Sequence, residues 1–138
     1  MKRVAVLLLG LGALCAISAP PVPAQGDKAS EVKEVMVKVN KTGTGLYPSV
    51  VQELRQDDTN WEEVKKNAKE IARLTATLGK LDPPKGEKDS WQKLTKAYAD
   101  NTKALDAAAA RMDKEAAKAA AAKLGESCDT CHKAHRKQ

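Results

Sequence analysis

The segment Cys128-Asp129-Thr130-Cys131-His132 constrains this chain more than any other. Two thiols one helical turn apart can add across the two vinyl groups of a single porphyrin. The adjacent imidazole then lies beneath the ring, where it can bind iron. The expectation is one covalent haem c per chain, joined to Cys128 and Cys131, with His132 as the proximal iron ligand. Iron held this way transfers electrons or binds gases; it does not hydrolyse or transfer groups.

Other uses of these cysteines fit less well. Zinc could be drawn between Cys128, Cys131, His132 and His135, but structural zinc ligands usually come as two separated pairs. A thioredoxin-like pair wants a βαβ setting, and no strand pattern accompanies this one. A plain disulfide leaves His132 without a purpose.

The N-terminal stretch agrees with a haem attached outside the cytoplasm. Met1-Lys2-Arg3 precedes an apolar run from Val4 to Ala19 and then Val22-Pro23-Ala24. A basic start, a short apolar core and small residues at −3 and −1 describe a secretory signal over residues 1–24, cleaved before Gln25. The alternative is a retained membrane anchor. A lipidated Cys15 is disfavoured by Leu14 before it. The bacterial periplasm is the expected destination of the single mature domain over residues 25–138.

Cleavage removes Cys15, so the haem uses both remaining cysteines and no structural disulfide is left to place. Of 24 Lys and Arg, two lie in the leader, so 22 face 18 Asp and Glu in the mature segment. The signs alternate along the chain, which makes a solvated surface and not a nucleic-acid footprint. Phe is absent and only two Trp and two Tyr are present. Such a chain is short of core volume, and a porphyrin would supply apolar surface.

Turn signals separate four helical segments. The first covers about residues 30–40, with Val32, Val35, Met36 and Val39 on one face. Gly43, Gly45 and Pro48 break it, and residues 49–54 form a short helical continuation. The second opens at Asn60, with Glu63 as a partial capping box. It carries Trp61, Val64, Ala68, Ile71, Leu74, Leu78 and Leu81 up to Pro83-Pro84. The third starts near Asp89 or Ser90 and presents Trp91, Leu94, Tyr98, Leu105, Ala108 and Met112 inward. The fourth follows Asp113 with Ala116, Ala117, Ala120, Ala121 and Leu124, and Gly125 interrupts it before Cys128. Alanine runs at 107–110 and 119–122 let helices approach closely, about half of them being neutral helix filler. The fold expected is all-α, an antiparallel four-helix bundle with its cofactor between helices.

Four helices with Cys-x-x-Cys-His in the last one resemble the class II c-type cytochromes, the cytochrome c′ family. The ending Cys131-His132-Lys133-Ala134-His135-Arg136 also fits that family's pattern. The resemblance covers nearly the whole mature chain and implies haem on Cys128 and Cys131 with His132 as axial ligand. High-spin members leave the other face of the iron open behind an apolar residue of the first helix. Low-spin members fill it with a methionine from that helix, and Met36 stands where such a ligand would. The bland alternative is that Met36 is core. Met112, the other mature methionine, falls far from the iron. The family commonly has an arginine four residues before the methionine, where this chain has Val32. Lys33 is the nearest cation and a candidate propionate partner. Arg136 is another, against a plain surface charge.

His135 shares a helix with His132 and cannot reach the opposite face of the iron, so it packs beside the ring or points to solvent. Trp61, Trp91 and Tyr98 are expected as core anchors and not as redox relays. The function expected is non-enzymatic: a periplasmic one-electron carrier with His132 and Met36 as axial ligands, serving redox protein partners. The alternative is a five-coordinate protein binding the diatomic gases NO or CO. Dimerisation through the first two helices is implied by the resemblance.

Overall fold

A computed structural model describes residues 26–137. The leader expected over residues 1–24, with its cleavage point, lies outside the described residues. Five α-helices follow in order: α1 (Gly26–Asn40), α2 (Leu46–Arg55), α3 (Trp61–Thr75), α4 (Lys88–Ala110) and α5 (Lys114–His135). Strands are absent among the described residues. The fold is an all-helical bundle in which α2, α3, α4 and α5 each pack on their chain neighbours and α5 closes back on α2. The first helix of the expected four is split into α1 and α2. None of the described helices is long and apolar enough to cross a membrane.

The split has a local cause. After Lys41 the chain doubles back, and a side chain at Gly45 would sit 2.6 Å from the Lys41 nitrogen and 2.8 Å from the Val39 carbonyl oxygen. Only glycine fits there. The continuation is longer than expected, because Pro48 falls in the first turn of α2. Its missing N–H would have had no intrahelical acceptor, so the ring costs the helix nothing there.

The start of α3 differs in detail from a capping box. The Asn60 side chain accepts the Glu63 N–H at 3.2 Å. The reciprocal half is absent: the Asn60 N–H donates to Glu53 on α2 at 3.3 Å, and Glu63 instead accepts from Ser49 at 3.0 Å. These bonds fasten α2 to α3 across the turn.

The α3 stripe outlasts its helix. Beyond Thr75 the chain tightens into a 3₁₀ turn at Leu78–Lys80, which still buries Leu78. The Trp91 indole N–H donates to the carbonyls of Leu78 and Leu81, at 3.1 and 2.9 Å. Acceptors freed at the end of a helical segment are thereby satisfied from α4.

Inside α4, Trp91, Tyr98, Leu105 and Ala108 are buried as expected. Met112 is not inward: it is 54% exposed, with φ 55° in the turn before α5. Thr95 and Thr102 are buried instead. Each hydroxyl donates back to a carbonyl of its own helix, Trp91 and Ala99 respectively, both at 2.8 Å. In the two alanine runs Ala108, Ala109, Ala120 and Ala121 are buried, and the other four positions are exposed.

Candidate haem pocket

Helix α5 brings the attachment motif to the site. The Asp113 carboxylate caps its first turn by accepting the Ala116 N–H at 3.0 Å. The helix then runs unbroken to His135, so Gly125 does not interrupt it. Gly125 answers a packing need: a Cβ there would meet the Tyr47 hydroxyl at 2.8 Å. That hydroxyl donates to the Ala121 carbonyl at 2.9 Å. Tyr47 thus seats α2 against α5 one turn before the cysteines.

Cys128 and Cys131 are free thiols, both half-buried. Cys128 Sγ faces the Leu124 carbonyl at 3.5 Å. Burial pushes both thiols above the usual cysteine range, so both are held protonated at neutral pH.

The two thiols and His132 line a cavity of about 610 Å³ between α1, α4 and α5. From α1 come Val32, Met36, Val37 and Asn40; from α4, Trp91, Thr95 and Tyr98. Met36 is half-buried against the core and its thioether accepts a hydrogen bond from the Asn40 amide nitrogen at 3.6 Å. The same nitrogen donates to the Tyr98 hydroxyl at 3.3 Å. Burial pushes the Tyr98 hydroxyl up to about 12, so it is neutral.

Lys33 and Arg136 both line this cavity and are exposed, which puts them at its rim with Lys41 and Lys137. Asp and Glu are absent among the lining residues described. The cavity meets the needs of a haem: room in the range of cofactor sites, mainly apolar walls, two thiols beside an imidazole, and cations at the mouth for carboxylates.

His135 is placed otherwise than a residue pointing to solvent. It is 2% exposed, edge-on to Trp91 with ring centroids 5.3 Å apart. Nδ1 lies 2.8 Å from the Lys85 carbonyl and Nε2 lies 3.2 Å from the Ser90 hydroxyl. A carbonyl only accepts, so Nδ1 carries the proton. This ties the last turn of α5 to the loop before α4. Among the described residues no three His, Cys, Asp or Glu side chains converge on a metal position, and hydrogen bonds engage both ring nitrogens of His135, one of which a zinc site would need. Asn40 escaped the sequence reading, although its position four residues after Met36 puts both on one helix face.

A helical bundle with Cys-x-x-Cys-His along an apolar, haem-sized cavity defines a class, the c-type cytochromes. Comparison with known families makes the class specific. Residues 33–136 match the family described as Cytochrome C', and the chain belongs to that family. Its members are haem c proteins, and the haem is bound covalently. Proteins of the family are typically exported. Comparison with curated proteins and with solved structures gave no match.

Proposed function

We propose that this chain is a periplasmic one-electron carrier whose single haem c is joined to Cys128 and Cys131, with His132 and Met36 as axial ligands. The observation that carries the reading is the Met36 thioether on the wall of the same cavity as Cys128, Cys131 and His132. When bound, the haem supplies a one-electron redox couple, and His/Met ligation raises its potential. The chain's own task is to hold that group, exclude water and present one edge. Val32, Leu78 and Trp91 keep the walls apolar. Lys33 and Arg136 are suited to the propionates, leaving Lys41 and Lys137 as positive charge around the mouth. That surplus suits an acidic redox protein, guided by charge to the exposed edge. A homodimer through the first helices is compatible with this role.

The apolar wall of Val32 and Val37 beside Met36 supports a second reading, a five-coordinate protein that takes up NO or CO. The optical spectrum of the holoprotein, with and without CO, separates the two. A thioether on iron gives the oxidised protein a weak far-red charge-transfer band and blocks CO in the reduced protein. Met36→Ala should then lose the band and admit CO. A parent protein that binds CO as readily as the variant puts gas binding first.

A further inference from the structure

The bond between Asn40 and Met36 adds a residue that acts through the proposed ligand. The Asn40 amide nitrogen has two hydrogens, and the structure gives each a taker: Met36 Sδ at 3.6 Å and the Tyr98 hydroxyl at 3.3 Å. The orientation of the amide follows from chemistry, because a thioether has no hydrogen to give and only the NH₂ end can face it. Tyr98 is 6% exposed on α4, so it anchors the amide from a separate, packed helix. Met36 alone is a flexible side chain with three rotatable bonds. Through Asn40 its sulfur is tied to α4 at the cavity wall.

We infer that Asn40 is a positioning residue for Met36, engaging one lone pair of the thioether and leaving the other for iron. Two consequences follow for the site. The lone pair offered to the iron is fixed in direction, because the competing one is occupied. Electron density is also drawn from the sulfur toward the amide hydrogen, which weakens its donation to iron and favours the reduced state. The inference rests on Met36 as the sixth ligand.

The test uses holoprotein carrying Asn40→Leu, which has a similar volume and no donor. The expected results are a shifted or weakened far-red band, a lower reduction potential and apparent CO affinity raised roughly two- to ten-fold, the weight of one net hydrogen bond. Asn40→Gln, which retains the donor on a longer arm, should recover part of the band. If Asn40→Leu does not hold haem, Asn40→Asp replaces it, keeping the size but only accepting when ionised, and the band and CO affinity are read. A role in packing alone would lower thermal stability and leave band, potential and CO affinity at parental values, which overturns the inference while Met36 keeps its place. A parent that lacks the band and binds CO as readily as Met36→Ala overturns the Met36 reading, and this inference with it.

Discussion

The Tyr47 hydroxyl occupies the space that a side chain at residue 125 would need, 2.8 Å from the Cβ position of Gly125. Glycine inside a helix costs about 1 kcal/mol relative to alanine, so Gly125→Ala ought to stabilise an isolated α5. In the folded protein it should destabilise, by about 1–2 kcal/mol, because Tyr47 must swing away and give up its bond to Ala121. With Tyr47→Phe as background, the same substitution should cost less or become favourable. Chemical denaturation of the four proteins of this cycle reads the coupling. Additive effects would mean that the two residues do not share this space.

Met112 sits where glycine is usually found. The Asp113 N–H donates to the Ala108 carbonyl at 3.1 Å and the Met112 N–H to Ala109 at 2.9 Å. That pair of bonds closes the end of α4 as a Schellman motif, with Met112 in the left-handed conformation at φ 55°. Since Met112 is exposed, little packing is lost on truncation. Met112→Gly should raise stability by about 0.5–1 kcal/mol, seen as a higher unfolding midpoint with an unchanged haem spectrum.

Covalent attachment is read by mass. Holoprotein made with haem-maturation machinery should exceed its apo mass by one haem. Cys128→Ala with Cys131→Ala should lose that increment under denaturing conditions. His132→Ala should keep the haem attached while displacing the Soret band. An unchanged Soret band would remove His132 from the iron.

Glu70 joins α1 to α3 and gives stability an acid limit. Hydrogen bonds from Arg73 at 2.7 and 2.8 Å, with a further one from Lys38 at 2.9 Å, lower its carboxyl from 4.5 to about 2. A depressed carboxyl stabilises the fold above its unfolded value and loses that contribution as pH falls through the folded one. Glu70→Gln should therefore cost stability at pH 7, by no more than about 1 kcal/mol at this exposed site. The difference from the parent should shrink between about pH 4.5 and pH 2. A difference independent of pH would assign the effect to something other than charge.

Much of this molecule was legible in one dimension because its apolar side chains recur at helical spacing. Val32 and Val39, Val64 and Ile71, and Leu105 and Leu124 are all buried on the faces the sequence indicated. The features it left out or misplaced concern residues whose role depends on a contact that apolar spacing does not reveal. Gly125 resembles a helix breaker until Tyr47 is placed against it. Thr95 and Thr102 resemble surface residues until their hydroxyls are seen to turn back on their own helix. His135 depends on Lys85 and Ser90, which no periodicity links to it. The pocket was visible in its motif, but the hold of Asn40 on Met36 needed the tertiary contact with Tyr98.

Along α4 and α5, which pack on each other, Ala108, Ala109, Ala117, Ala120 and Ala121 are buried, and this bears on how firmly the attachment motif is held. Alanine has no side-chain rotamers to freeze when it is buried, whereas each leucine or isoleucine forfeits about 0.5–1 kcal/mol of conformational entropy. The helix bearing Cys128 and Cys131 is therefore docked with little disorder to overcome at these positions. Buried methyl groups also have no alternative rotamers to visit, so the low cost of seating the helix that carries the thiols and the uniformity of its side-chain conformations have one origin.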